Sequence, residues 1–222
     1  MKRLSIFSLL LLLCIGTAVN AQQKKVILDN NKIGNWDASS TWKKGAIPSS
    51  GDNVSIENGG AVTLNTAGKT VASLVISNGS LEIGNNGSLT ATNGTTISGG
   101  TLTNYGTINR NVSITSGTLT NSGTINGNLT VSGGTVNINQ GSSITGTITI
   151  TGGTVNIAAG AVVDFTTATI TGGTVTIVPG AVVIGYQGEQ SISISLTANK
   201  WNFIGFPHVN DISPLAADGA PS

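Results

Sequence analysis

Aliphatic residues alternate with Thr, Ser, Asn and Gly along most of the chain, in short runs separated by Asn- and Gly-containing triplets. Within Gly100–Val112, for example, Leu102, Ile108 and Val112 lie in three separate runs. Alternation over short runs predicts β-strands with one buried face. Gly and Asn tolerate the positive φ angles that tight corners need. One such unit therefore predicts three strands and three corners, and no helix-forming segment is visible beyond the first residues.

The triplet Gly-Thr-aliphatic recurs through the middle of the chain, beginning at Gly100, Gly117, Gly134, Gly153 and Gly173. Successive triplets are 17, 17, 19 and 20 residues apart. A nearly fixed period indicates a solenoid, in which each unit buries its apolar face against its neighbours. Parallel crossover connections are right-handed in nearly all proteins. We therefore predict an all-β fold, a single-stranded right-handed parallel β-helix of roughly seven short rungs.

The repeat also divides the chain. We predict a signal peptide at residues 1–21, an entry or cap segment at 22–61, and β-helix repeats at 62–195. Residues 196–222 are predicted to begin a further module or a linker that is cut short. Within the repeats, Asn104 and Asn121 occupy equivalent places, as do Leu102 and Leu119. Equivalent side chains one rung apart should stack into amide and aliphatic ladders.

The first residues have the features of an export signal. Lys2 and Arg3 precede an apolar run, and small residues at 18 and 21 form a cleavage site ahead of Gln22. A retained anchor is a weaker interpretation because a membrane span needs about 20 apolar residues. Lipidation of Cys14 is also weaker, since Leu13 stands where that processing needs a small residue. We expect a secreted or outer-surface bacterial protein with no transmembrane span after signal removal.

The charge content limits the partners and the chemistry. Removal of the predicted signal leaves eight basic and nine acidic residues and no cysteine. Such a chain has no basic field to bind nucleic acid, and it offers no disulfide, thiol nucleophile or cysteine metal site. No motif suggests a cofactor or a metal ion. The partners that remain are extracellular glycans or cell-surface components.

Two aromatic residues stand out before the repeats. The segment Trp36–Leu64 contains Trp36, Trp42, Gly45, Pro48 and a Gly-Asp pair followed by Val-Ser-Ile. It resembles the entry module of many secreted β-helix proteins, including the eight-glycine domain of cell-surface proteins. Trp36 and Trp42 are interpreted as a cap that plugs the first coil, because Trp supplies a large buried area. The alternative is that they stack on sugar rings.

Two further resemblances concern the rest of the chain. The run Trp201-Asn-Phe-Ile-Gly-Phe-Pro207 resembles a segment that follows β-helices in cargo of the type IX secretion system, where it opens a further domain. The Gly-Thr-Val repeats resemble the passenger repeats of autotransporter adhesins. These resemblances imply a surface-associated, adhesin-like protein.

Candidate catalytic residues are few. Between residues 62 and 194 the acids are Glu82, Asp164 and Glu189, whereas glycoside hydrolysis normally uses two carboxylates at a set separation. Arg110 is interpreted as an exposed corner residue. His208 has no Ser, Asp or Cys partner at a recognisable spacing. The sequence therefore predicts no catalytic activity.

Three functions compete on this evidence. A structural or adhesin-like scaffold requires only the repeats and the export signal. A carbohydrate-binding or polysaccharide-processing protein would need an active module beyond the C-terminus, since the rungs offer only Tyr105, Phe165 and Tyr186 as aromatics. Outward Thr in successive rungs suggests an ice-binding array, but the varying spacing of 17 to 20 residues argues against it.

Overall fold

A computed structural model of the chain describes residues 31–185 and the backbone of two flanking strands. Apart from two 3₁₀ turns, Ser39–Thr41 and Lys43–Gly45, the regular structure in this part is entirely β. The strands, in chain order, are β1 (Lys25–Ile27), β2 (Ile33–Asn35), β3 (Asn53–Ile56), β4 (Ala61–Leu64), β5 (Lys69–Val71), β6 (Ser73–Ile76), β7 (Ser80–Ile83), β8 (Ser88–Ala91), β9 (Thr95–Asn104), β10 (Thr107–Asn109), β11 (Val112–Asn121), β12 (Thr124–Asn126), β13 (Leu129–Val131), β14 (Thr135–Ile138), β15 (Ser143–Ile144), β16 (Ile148–Ile157), β17 (Val162–Asp164), β18 (Thr169–Ile177), β19 (Val182–Ile184) and β20 (Ile192–Ile194).

The strands stack into a parallel β-solenoid with three faces, and every strand pairing in the described part is parallel. Face A contains β1, β3, β6 and β13 and the first halves of β9, β11, β16 and β18. Face B contains β2, β4, β7, β14 and β20 and the second halves of those four long strands. Face C contains β5, β8, β10, β12 and β15, followed by the separate pair β17 and β19. Seven complete coils result, which confirms the predicted fold.

Parallel pairing extends to the N-terminal side of residue 62, where the repeats were predicted to start. Strand β3 pairs in register with β6, and β1 and β2 pair with β3 and β4 respectively. The coils numbered 1 to 7 here begin at β3, β6, β9, β11, β13, β16 and β18. Strands β1 and β2 form an incomplete coil in front of them, in which the two 3₁₀ turns follow β2.

The interior of the solenoid is built from aliphatic columns. One inward position of face A is occupied in coils 1 to 6 by Ile56, Ile76, Ile97, Ile114, Val131 and Ile150, all buried and paired in register. This packing follows from the period of two along each strand, which directs alternate side chains inward. The predicted Leu102 and Leu119 ladder is confirmed on face B, where both residues are fully buried.

Coil length varies because the corners vary, not because the strands slip. The corner between faces B and C takes two residues after Asn104 but four after Ile157. Despite the unequal spacing of the Gly-Thr triplets, Leu119 pairs with Val136 and Val155 pairs with Val175 in the same column. A one-residue slip would turn the whole apolar set outward, so the buried face fixes the register.

The tight corner between faces B and C depends on two buried asparagines. The Asn104 amide donates to Oδ1 of Asn121 over 2.7 Å, and the Asn121 amide donates to the Gly123 carbonyl over 3.0 Å. Both side chains are fully buried. The predicted amide ladder is therefore confirmed, and it lies inside the solenoid, where it satisfies a corner carbonyl that faces inward.

Glycines at the corner between faces A and B let successive coils approach closely. A Cβ on Gly117, where φ is +83°, would lie 2.3 Å from the carbonyl oxygen of Gly100. A Cβ on Gly134, where φ is +72°, would lie 2.6 Å from the Gly117 carbonyl oxygen. The Gly of the Gly-Thr triplet is thus required both for its backbone angle and for space.

Candidate functional site

The two N-terminal tryptophans pack together in the interior. Trp36 and Trp42 are 0 % and 1 % exposed, and their rings meet edge to face with centroids 5.1 Å apart. Nε1 of Trp42 donates to the Trp36 carbonyl over 2.7 Å. Both rings belong to the same apolar cluster as Val54 and Ile56 of coil 1. Their burial favours the cap interpretation, because neither ring presents a face on which a sugar could stack.

An ion pair joins the incomplete coil to coil 1. Asp37 accepts from Lys69 Nζ and from the Thr66 hydroxyl, each over 2.5 Å. Partial burial of the Asp37 carboxyl opposes ionisation, but the two hydrogen bonds and the Lys69 charge outweigh it and lower the pKa of Asp37. Lys69 pairs with Leu89, so it occupies the first position of an inward column on face C. The sequence interpretation missed this role because Lys69 gives no local signal of it.

A second buried carboxylate shapes the entry to β3. Oδ2 of Asp52 accepts from both the backbone N–H and the hydroxyl of Ser49, each over 2.8 Å. The Asp52 side chain is buried, and its backbone carbonyl accepts from the N–H of Ala72 in the next coil. The Gly-Asp pair of the entry segment is thereby explained as a turn that begins the first complete coil.

The candidate acids lie apart. Glu82 points outward on face B in coil 2, whereas Asp164 lies on face C in coil 6. Four coils at about 4.8 Å each separate them along the axis, in addition to the difference in face. Asp164 is exposed and accepts from the Thr166 N–H over 2.8 Å, which lowers the pKa of Asp164. Glu189 and His208 lie outside the described residues.

The remaining candidate residues occupy corners or the core. Arg110 is exposed with φ of +99°, at the corner between faces C and A, as the sequence suggested. Of the aromatics considered for a sugar-binding face, Tyr105 is 45 % exposed, Phe165 is buried and Tyr186 lies outside the described residues. Among residues 31–185, no group of three or more His, Cys, Asp or Glu side chains could hold a metal ion.

A small cavity of about 20 Å³ opens on face C, where β15 and β17 lie side by side without pairing. Its lining combines aliphatic side chains with two polar ones: Ile138, Ser142, Ile144, Ile148, Val162, Val163 and Asp164. A cavity of this size holds about one water molecule. It is too small for a sugar residue.

The most regular polar surface is the outside of face B. Two columns of Thr and Asn side chains run along coils 3 to 7 at the outward positions of the strands. The first column is Thr101, Thr118, Thr135, Thr154 and Thr174, and the second is Thr103, Thr120, Asn137, Asn156 and Thr176. We call these ten residues the threonine face. The spacing objection to an ordered Thr array was wrong, because the extra residues of the longer coils lie in corners.

Comparison with known families places one similarity on this geometry. The family model of the G8 domain matches residues 41–116. The G8 match begins beside Trp42, includes coils 1 to 3 and ends in the middle of β11. No curated protein and no solved structure gives a significant match to the chain.

The G8 similarity and the solenoid fit an extracellular structural scaffold built as a β-helix repeat protein. G8 domains are typically extracellular. Within the described part of the chain, no helix is long and apolar enough to cross a bilayer.

Proposed function

We propose that the chain is a secreted or outer-surface rod of adhesin type that has no catalytic activity of its own. The observation that carries this proposal is the use of the outward side chains in the described coils. They form Thr, Ser and Asn ladders that bond to neighbouring coils, such as Asn126 to Asn109 on face C over 3.0 Å. The two acids placed in these coils, Glu82 and Asp164, are too far apart to act on one bond.

The route to the surface is part of the same proposal. Residues 1–21 act as a cleaved export signal, and the run Trp201–Pro207 supports export as cargo of the type IX system. The entry segment Trp36–Leu64 is proposed to be an eight-glycine-type module, and the two buried tryptophans support its role as a cap. Contact with glycans or other cell-surface components would use the outer faces of the rod.

Export is tested by expressing the full chain in a bacterium with a type IX system. The expected product lies outside the cell, is accessible to added protease and begins at Gln22 by N-terminal sequencing. A matched variant with Leu10→Arg in the apolar run should stay inside with an intact Met1 terminus. Retention of the unchanged chain in the cytoplasm would contradict the proposal.

Adhesion and catalysis are tested separately on the mature chain, residues 22–222. Binding to immobilised cells or to a glycan array is expected, with no release of reducing sugars or unsaturated products from a panel of polysaccharides. Tyr105→Ala tests the exposed aromatic on face C, and Tyr105→Phe is its control for loss of the ring alone. Product release that Glu82→Gln or Asp164→Asn abolishes would identify an enzyme and refute the non-catalytic assignment.

A further inference from the structure

The threonine face is a lattice of side chains with two fixed repeats. Neighbouring strands of one sheet lie about 4.8 Å apart, and residues i and i+2 of a parallel strand lie about 6.6 Å apart. Thr118 pairs directly with Thr101 and with Thr135, and Thr154 pairs directly with Thr135 and Thr174. The first column therefore holds five threonines in consecutive register, and the second column follows it at constant separation.

The hydroxyls of the first column are available to a ligand. Within the described part of the chain, none of these five side chains makes a hydrogen bond to the protein, and all are partly or fully exposed. Face A differs, because the hydroxyls of Thr115, Ser132 and Thr151 each donate to a carbonyl of the preceding coil. The free column is thus a property of face B rather than of every Thr on the rod.

The second column is held in place by its own hydrogen bonds. The Asn156 amide donates to Oδ1 of Asn137 over 2.9 Å, and the Asn137 amide donates to Oγ1 of Thr120 over 3.4 Å. β-Branched side chains such as Thr are also restricted at χ1. The face therefore loses little conformational entropy when a rigid partner binds, which favours affinity through preorganisation.

The chemistry of the face favours ordered water over a sugar polymer. In coils 3 to 7 it contains only Thr and Asn, so it carries no net charge and no aromatic ring for stacking on a pyranose. It presents methyl groups and hydroxyls in alternation on a repeat close to that of the oxygen lattice at the faces of hexagonal ice. We propose that the threonine face binds ice: its hydroxyls hold water at lattice positions and its methyl groups pack between them.

This inference is independent of adhesion, since a rod can bind ice without binding glycans or cells. The test uses the mature chain, residues 22–222, in two assays: partition into a slowly growing ice hemisphere and thermal hysteresis measured by nanolitre osmometry. We expect the protein to be enriched in the ice fraction over a co-dissolved fluorescent protein, and a measurable hysteresis gap. Exclusion from the ice together with no hysteresis would overturn the proposal.

Matched variants locate the surface. Thr135→Tyr places a bulky ring in the centre of the first column and is expected to abolish most of the hysteresis and the enrichment. Thr130→Tyr is its control: it lies in the same coil, outward on face A between Ser113 and Thr149. Circular dichroism melts establish that both variants fold, and Thr118→Tyr serves as a second variant if Thr135→Tyr does not. Equal loss in both face variants would refute the assignment to face B, and binding of the unchanged protein to crystalline cellulose or chitin with no affinity for ice would identify a polymer ligand instead.

Discussion

Thr95 allows the packing argument to be tested at one atom. It lies in an inward column of face A, paired with Leu74 on one side and Val112 on the other. The side chain is 2 % exposed, and its hydroxyl has no hydrogen-bond partner in the described structure. An unpaired buried hydroxyl costs about 1–3 kcal/mol in mutational data. Valine has the same branched shape without that cost, so Thr95→Val should raise the free energy of unfolding by about 1–3 kcal/mol.

The measurement is urea and thermal unfolding of the mature chain followed by circular dichroism. For a domain of this size, 1 kcal/mol corresponds to a rise of about 2–4 °C in Tm, so a gain of several degrees is expected. Thr96→Val is the matched control, because Thr96 is the next residue, points outward and pairs with Ser113. It should change the free energy of unfolding by no more than about 0.5 kcal/mol. A Thr95→Val protein no more stable than the unchanged chain would refute the reasoning, since it would show that the hydroxyl is satisfied in solution.

Three further predictions concern a corner, a close approach and an ion pair. Asn121→Ala should cost about 2–4 kcal/mol in urea unfolding, because it opens a cavity and leaves the Gly123 carbonyl and the Asn104 amide without their partner; a loss under about 1 kcal/mol would contradict the ladder's role. Gly117→Ala should lose about 1–3 kcal/mol more than Gly68→Ala in the same assay, because both have positive φ but only Gly117 has a carbonyl in the path of the new Cβ, and equal losses would show that strain alone matters. Asp37→Asn should cost about 0.5–1 kcal/mol near neutral pH; since the pKa of Asp37 is lowered in the fold, the difference from the unchanged chain should shrink in urea titrations as pH falls below the ordinary aspartate value of about 3.9, and a difference that persists at pH 2 would exclude the ion pair as its cause.

The coil architecture could be predicted from the sequence because three local signals agree. Alternation marks the strands, Gly and Asn mark the corners, and the Gly-Thr triplet marks the period. The equivalence of Asn104 and Asn121 followed from that period and is confirmed at 2.7 Å. Residues that break the local pattern could not be placed in the same way. Thr95 occupies an inward position although Thr usually faces outward here, and Lys69 opens an inward column because Asp37 of the preceding coil neutralises it.

The threonine face shows why a sequence period is a poor guide to the surface of a solenoid. The period is the sum of three strands and three corners, and it changes whenever any corner gains a residue. Strand pairing responds only to the buried side chains, because a slip of one residue would expose the whole apolar face. Thr135 and Thr154 are 19 residues apart and Thr154 and Thr174 are 20 apart, yet all three lie in one column. The order of an outward array on such a rod must therefore be determined from strand register, for which the inward aliphatic positions give the alignment.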